Sequence, residues 1–92
     1  MVSLDELKGR KVVTTDAFAI GEVVGVELDV AKGIITHLRV DLSKEAANEL
    51  RFKKPFMGSV IICVPMSLVQ AYGHVINLNV PVSQVKTLKE CQ

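Results

Sequence analysis

Two alternating runs joined by a short loop constrain this chain more than any other feature. From Ile34 to Leu42, Ile34, Thr36, Leu38, Val40 and Leu42 fall on one face and His37, Arg39 and Asp41 on the other. That period of two is what a half-buried strand requires. From Ala19 to Asp29 the even positions Ile20, Val24, Val26 and Leu28 form an apolar face on which Glu22 is the exception. Asp29-Val30-Ala31-Lys32-Gly33 lies between the runs, with Gly33 able to take the positive φ of a hairpin loop. Gly21 and Gly25 stand four apart, where missing side chains permit sharp coiling or close approach of another backbone.

The flanking segments extend this pattern. Leu4 and Leu7 precede Gly9, after which Lys11 to Thr14 reads as a short strand and Thr15-Asp16-Ala17 as a turn. Ser43 to Leu50 is the helix candidate: Ser43 can cap, Glu45 sits in the first turn and Ala46-Ala47 favour helix. Arg51 to Gly58 is a loop ended by Pro55 and Gly58. Ser59 to Val64 is almost wholly apolar, as expected of a strand covered on both faces, and Pro65 closes it. Leu68 to Tyr72 is a further strand broken at Gly73. His74 to Val80 alternates, with Ile76, Leu78 and Val80 inward and Asn77 and Asn79 outward. Val82 to Leu88 forms a short final turn or helix.

The expected fold is therefore all-β, a small antiparallel barrel of about six strands with one short helix, in a single domain spanning residues 1–92. Composition agrees. Val and Ile supply 21 residues against four aromatics and no Trp, and β-branched side chains pack well on pleated sheet. With 49% hydrophobic residues and a mean hydropathy of +0.34, disorder is excluded. So apolar a chain of 92 residues has limited interior in which to hide, and a homodimer through apolar strands would cover the excess.

Charge limits the partners. The net charge is +1, too small for a chain that neutralises many phosphates, so bulk nucleic-acid binding is not expected. The first seven residues carry no basic start and no long apolar stretch. The run Val60 to Met66, interrupted by Pro65, is too short to span a bilayer. Cys63 sits inside an apolar run and Cys91 is penultimate. They make no disulfide framework, and the expectation is a cytoplasmic, reduced protein.

One family matches these pieces in order. Leu7 to Asp16, then Ile20-Gly21-Glu22-Val23-Val24-Gly25, then Ile34 to Val40, and finally Val64-Pro65 resemble the PRC-barrel family. That family is named for a photosynthetic reaction-centre subunit and is shared with a ribosome maturation factor. The resemblance covers about residues 4–88 and implies a PRC-type barrel. A stand-alone chain of this size looks most like short archaeal members. The resemblance implies a non-catalytic adaptor, some relatives being similar to division-ring components that bind its membrane anchor. The absence of a second domain beside the barrel sets the chain apart from the ribosomal branch.

Chemistry is sparsely represented. His37 and His74 are the only histidines, with no Cys-x-x-Cys or His-x-x-x-His spacing, so no metal ligands and no cofactor are expected. His37 reads as a solvated strand residue and His74 as a turn residue. Cys63 reads as a small core residue. No nucleophile motif, phosphate loop or dinucleotide fingerprint occurs, and the chain is not expected to be an enzyme. Glu22 should be paired, neutral or at the barrel rim, because burying a lone carboxylate is costly. The candidate partner site is Arg51, Phe52, Lys53, Lys54, Phe56 and Met57, in which cations steer an approach and apolar side chains fill a partner's pocket. The same mix suits RNA or an anionic membrane, and the phenyl rings could equally cap the barrel end.

Overall fold

The computed structural model describes residues 4–50, 60–89 and 91. A short helix α1 (Leu4–Leu7) leads into β1 (Lys11–Val13), β2 (Ala19–Asp29) and β3 (Ile34–Leu42). Helix α2 (Lys44–Glu49) follows, then β4 (Ile61–Pro65), a 3₁₀ turn (Met66–Leu68), β5 (Val69–Tyr72), β6 (Val75–Leu78) and α3 (Val82–Val85). The β2–β3 hairpin and the helix after it form where the alternation and the capping signal put them. Gly33 takes φ 66° in the hairpin loop, and the Ser43 hydroxyl accepts a 3.1 Å bond from the Ala46 amide at the start of α2.

All six strands join one sheet in the order β4-β3-β2-β1-β6-β5. Strands β1 to β4 form an antiparallel meander, and β5–β6 is an antiparallel hairpin. The β1–β6 pairing is parallel, with Val12 opposite Ile76, which departs from the purely antiparallel expectation. Strand direction across a non-local pair depends on the route the chain takes, and alternation within each strand carries no trace of it. The end strands β4 and β5 are separated in sequence only by Met66–Leu68, a reach on the order of 10 Å. The sheet must therefore curl until its two ends meet at that corner. No ladder joins β4 to β5, so the ring is closed by the covalent chain and remains open in hydrogen bonding.

The concave side holds the core. Val12, Ile20, Val23, Leu38, Val40, Leu42, Ile62, Val64, Ile76 and Leu78 are buried there with Ala46, Ala47 and Leu50 of the α2 region and Val85 of α3. Residues Leu38, Val40 and Leu42 face inward as the alternation of β3 requires, while Ile34 at the hairpin tip is half exposed. Strand β2 departs from simple alternation. Its pairing slips three times, leaving Ile20 without a partner on β1, Val24 without one on β3 and Thr36 of β3 without one on β2. Each slip adds a residue to one side and changes which face the chain presents. Ile20 and Val23, three apart, thus both point inward, whereas Glu22 and Val24 come to the surface. Gly21 allows the tight approach between them: a Cβ built there would overlap the Asp41 carbonyl oxygen on β3.

The β1–β2 turn ties the two ends of the fold. Thr14, the one buried polar residue among those described, donates its hydroxyl to Asp16 Oδ1 and accepts from the Phe18 amide at 3.2 Å. Ala17 completes this turn at φ 62°. Asp16 Oδ1 also accepts from the Val82 amide at 3.2 Å, serving the first turn of α3, where Pro81 offers no side-chain cap. Among the described residues three short α-helices appear instead of the single one expected. Helices α1 and α3 have four residues each, too few for hydrophobic periodicity to register.

Candidate functional site

The β2–β3 hairpin outgrows its neighbours. Strand β1 pairs with β2 only across Ala19–Glu22 and β4 pairs with β3 only across His37–Asp41. Residues 24 to 36 therefore project as an arm with no strand along either edge among the described residues. Val24, Leu28, Val30 and Ile34 on this arm are 38, 54, 88 and 51% exposed. A single exposed aliphatic is ordinary, but four large ones on one short arm are unusual; the register pairs Leu28 with Ile35 and Ile34 with Asp29, so they bare apolar surface on both faces of the arm. A groove of about 310 Å³ lies along the open edge of β2, between Leu7 and Lys8 on one side and Val24, Val26 and Leu28 on the other. An extended segment laid there would gain backbone hydrogen bonds from the strand edge and apolar contact from the groove.

The convex face of the same sheet is polar. Arg39 Nη1 donates to Glu27 Oε1 at 2.9 Å, with both side chains about a third or more exposed. A pair so open to water contributes at most about 1 kcal/mol. Cys63 Sγ stands 4.0 Å from the same oxygen and forms a disulfide with Cys91. This corrects the expectation of two free thiols. Val60, Ile62 and Val64 take the inner positions of the apolar run, which turns Cys63 to the outer face. The chain end then returns along β4. The Cys63 amide donates to the Lys89 carbonyl at 3.2 Å and the Cys91 amide to the Ile61 carbonyl at 2.8 Å. The two cysteine Cα atoms are brought to 5.2 Å, a separation at which the bridge forms without moving backbone. Strict alternation within residues 60–64 was the sequence signal for an outward Cys63; the return of the chain end left none. The face opposite Val60, Ile62 and Val64 is only half covered, so the run is buried on one side rather than both.

The other residues singled out by sequence fall as follows. Arg51, Phe52, Lys53, Lys54, Phe56 and Met57 lie outside the described residues. Glu22 is exposed and sits directly opposite Lys11 in the β1–β2 register, so the carboxylate is solvated at the rim rather than buried. His37 is half-buried with Nδ1 2.9 Å from the Thr36 hydroxyl, and His74 is exposed beside Gly73. Asp16 was read only as a turn residue, yet it bridges the β1–β2 turn and α3. The Thr14 hydroxyl bond, reinforced by the Val82 amide, holds its carboxyl below the usual carboxylate range.

A family model described as the PRC-barrel domain matches residues 1–85. The chain belongs to the PRC-barrel family. No curated protein matches the sequence. PRC-barrel domains are generally non-catalytic modules, often engaged in protein interaction. In this barrel the Ser43 hydroxyl caps α2 and the Thr14 hydroxyl holds its turn. No helix among the described residues is long and apolar enough to cross a membrane. The match ends six residues before Cys91, so the PRC barrel proper lacks one half of the disulfide.

Proposed function

We propose that this PRC-barrel protein is a non-catalytic adaptor that acts as a homodimer and docks a protein partner. The apolar β2–β3 arm carries the reading, because its exposed Val24, Leu28, Val30 and Ile34 gain by burial about 25 cal/mol for each Å² removed from water. Pairing of two arms would cover them and present two copies of every other surface, raising avidity for a multivalent target. The Arg51–Met57 segment is the second docking element in this proposal, its cations steering a partner onto Phe52, Phe56 and Met57. The process assigned is archaeal cell division, with the membrane anchor of the division ring as partner. That assignment rests on the resemblance of its strand motifs to those of short archaeal members of the family.

Sedimentation of wild type and a Leu28→Asp, Ile34→Asp double variant tests the dimer. A wild-type dimer that the variant converts to a monomer, with both still melting cooperatively, supports it; a monomeric wild type refutes it. The partner is tested by recovering tagged protein from native lysate after nuclease treatment. Division-ring or anchor proteins surviving nuclease support the assignment. Ribosomal proteins that disappear after nuclease would overturn it in favour of an RNA-linked role.

A further inference from the structure

Glu27 on β2, Cys63 on β4 and Cys91 at the chain end converge on the convex face of the sheet. One ligand atom from each lies within 4.8 Å of the others, and all three residues are half-buried. They are far apart in sequence and fall on three different segments, so no spacing motif announces them. Oxidised, the two sulfurs are bonded to each other and unavailable. We propose that the reduced protein binds one thiophilic divalent cation, zinc above all, through Cys63 Sγ, Cys91 Sγ and the Glu27 carboxylate, so that the disulfide and the metal are alternative clasps for the same chain end.

Geometry, charge and donor type support this. Four ligands at tetrahedral zinc, with sulfur about 2.3 Å from the metal, stand about 3.8 Å from one another. Glu27 Oε1 already lies 4.0 Å from Cys63 Sγ, so breaking the S–S bond and letting the sulfurs part by a small side-chain rotation produces that spacing. The backbone bonds of Lys89 and Cys91 to β4 bring the two sulfurs back within reach of each other when the covalent link is gone, and the metal takes over the clasp that limits fraying of that segment. Two thiolates and a carboxylate bring three negative charges; the cation brings two positive ones and the Arg39 guanidinium, 2.9 Å from Glu27 Oε1, brings the third. The bound site is thus neutral. The bond from Arg39 takes one lone pair of Glu27 Oε1, and the carboxylate keeps others for the metal. Two thiolates with one carboxylate suit zinc better than magnesium or calcium, and water completes the tetrahedron on the solvent side. His37 is the cross-strand neighbour of Glu27, but its ring nitrogens are not among the ligand atoms that converge there.

The chemistry balances. A dithiol reductant cleaves the Cys63–Cys91 bond by exchange, delivering two electrons and two protons and leaving as its own disulfide. The cation then displaces the two thiol protons, so uptake is steeper at higher pH.

Cobalt(II), followed by its thiolate charge-transfer absorption and displaced by zinc, is the direct probe. The protein is reduced with a phosphine so that no buffer thiol competes. The expected result is one cobalt per reduced chain, no such band in the oxidised protein, and loss of the band in Cys63→Ser and Cys91→Ser. Glu27→Gln should bind at least tenfold more weakly, and its oxidised form, melting cooperatively like the oxidised wild type, provides the folding control. Reduced wild type that binds no better than Cys91→Ser overturns the proposal, as does a Glu27→Gln variant of unchanged affinity or a thiolate band in the oxidised protein.

Discussion

Removing the disulfide by Cys91→Ser gives a stability loss whose size follows from the position of the bridge. The bonded residues are separated by 28 positions. In the chain-entropy treatment a closed loop of that length restricts the unfolded chain by about 12 cal/mol/K, or roughly 3.5 kcal/mol at 25 °C. Fraying lowers this figure, because the segment at Lys89–Cys91 is otherwise held to β4 by two backbone bonds, one of them long at 3.2 Å. A native state that regains freedom there recovers part of the loss, so about 2–3.5 kcal/mol is expected. A folded chain of 92 residues has a total stability of about 5–14 kcal/mol, so the change is a large share of it. The melting midpoint should fall by about 10–20 °C. The chain has no Trp, so urea unfolding is best followed by far-ultraviolet circular dichroism. The slope of free energy against urea should also rise, since the uncrosslinked chain exposes more surface when unfolded. Wild type unfolded in the presence of reductant and without metal should superimpose on Cys91→Ser. A variant melting within about 2 °C of the oxidised wild type would refute the reasoning.

Four further outcomes follow from other parts of the fold. Gly21→Ala should cost about 3 kcal/mol or more, because the added methyl overlaps the Asp41 carbonyl and forces β2 from β3; urea unfolding measures it. Ala17→Gly should raise stability by about 0.5–1 kcal/mol, since Ala17 sits at φ 62° where only glycine is unstrained. Asp16, whose carboxyl is held below its usual range, adds stability that is complete above that range and lost as pH falls through the lowered value. Asp16→Asn should therefore flatten the decline of the melting midpoint between about pH 5 and pH 2. Phe52→Ala with Phe56→Ala should weaken partner binding at least tenfold while leaving a cooperative melt, as isothermal titration and calorimetry would show.

Alternation made the β2–β3 hairpin, β6 and the inward set Leu38, Val40, Leu42, Ile76 and Leu78 legible, because burial on one face leaves a period of two in the sequence. Ser43 made α2 legible through its cap. What escaped was non-local. The bulges at Ile20 and Val24 reverse the phase of β2 and carry Glu22 to the surface, an effect set by pairing with β1 and β3 rather than by β2 alone. The parallel β1–β6 ladder depends on where the chain has travelled between them. The convergence of Glu27, Cys63 and Cys91 needs both the outward parity of Cys63 and the return of the chain end, and only the first is written locally. The exposed arm was half visible: its aliphatics were expected to be covered, and the shortness of β1 and β4 leaves them bare.

The parallel β1–β6 ladder also sets a timetable for synthesis. Val12 is fully buried between Gly21 and Ile76 as its pairing neighbours. Its partner on β2 leaves the ribosome soon after it, but β6 begins roughly 60 residues later. At about 5–20 residues per second, β1 waits about 3–12 seconds with one edge bare. During that interval the emerging hairpin of a neighbouring chain on the same message fits that edge as well as its own will. Exchange of the β5–β6 hairpin between nascent chains is thus the misassembly this topology invites, and slower translation of the C-terminal half would increase it.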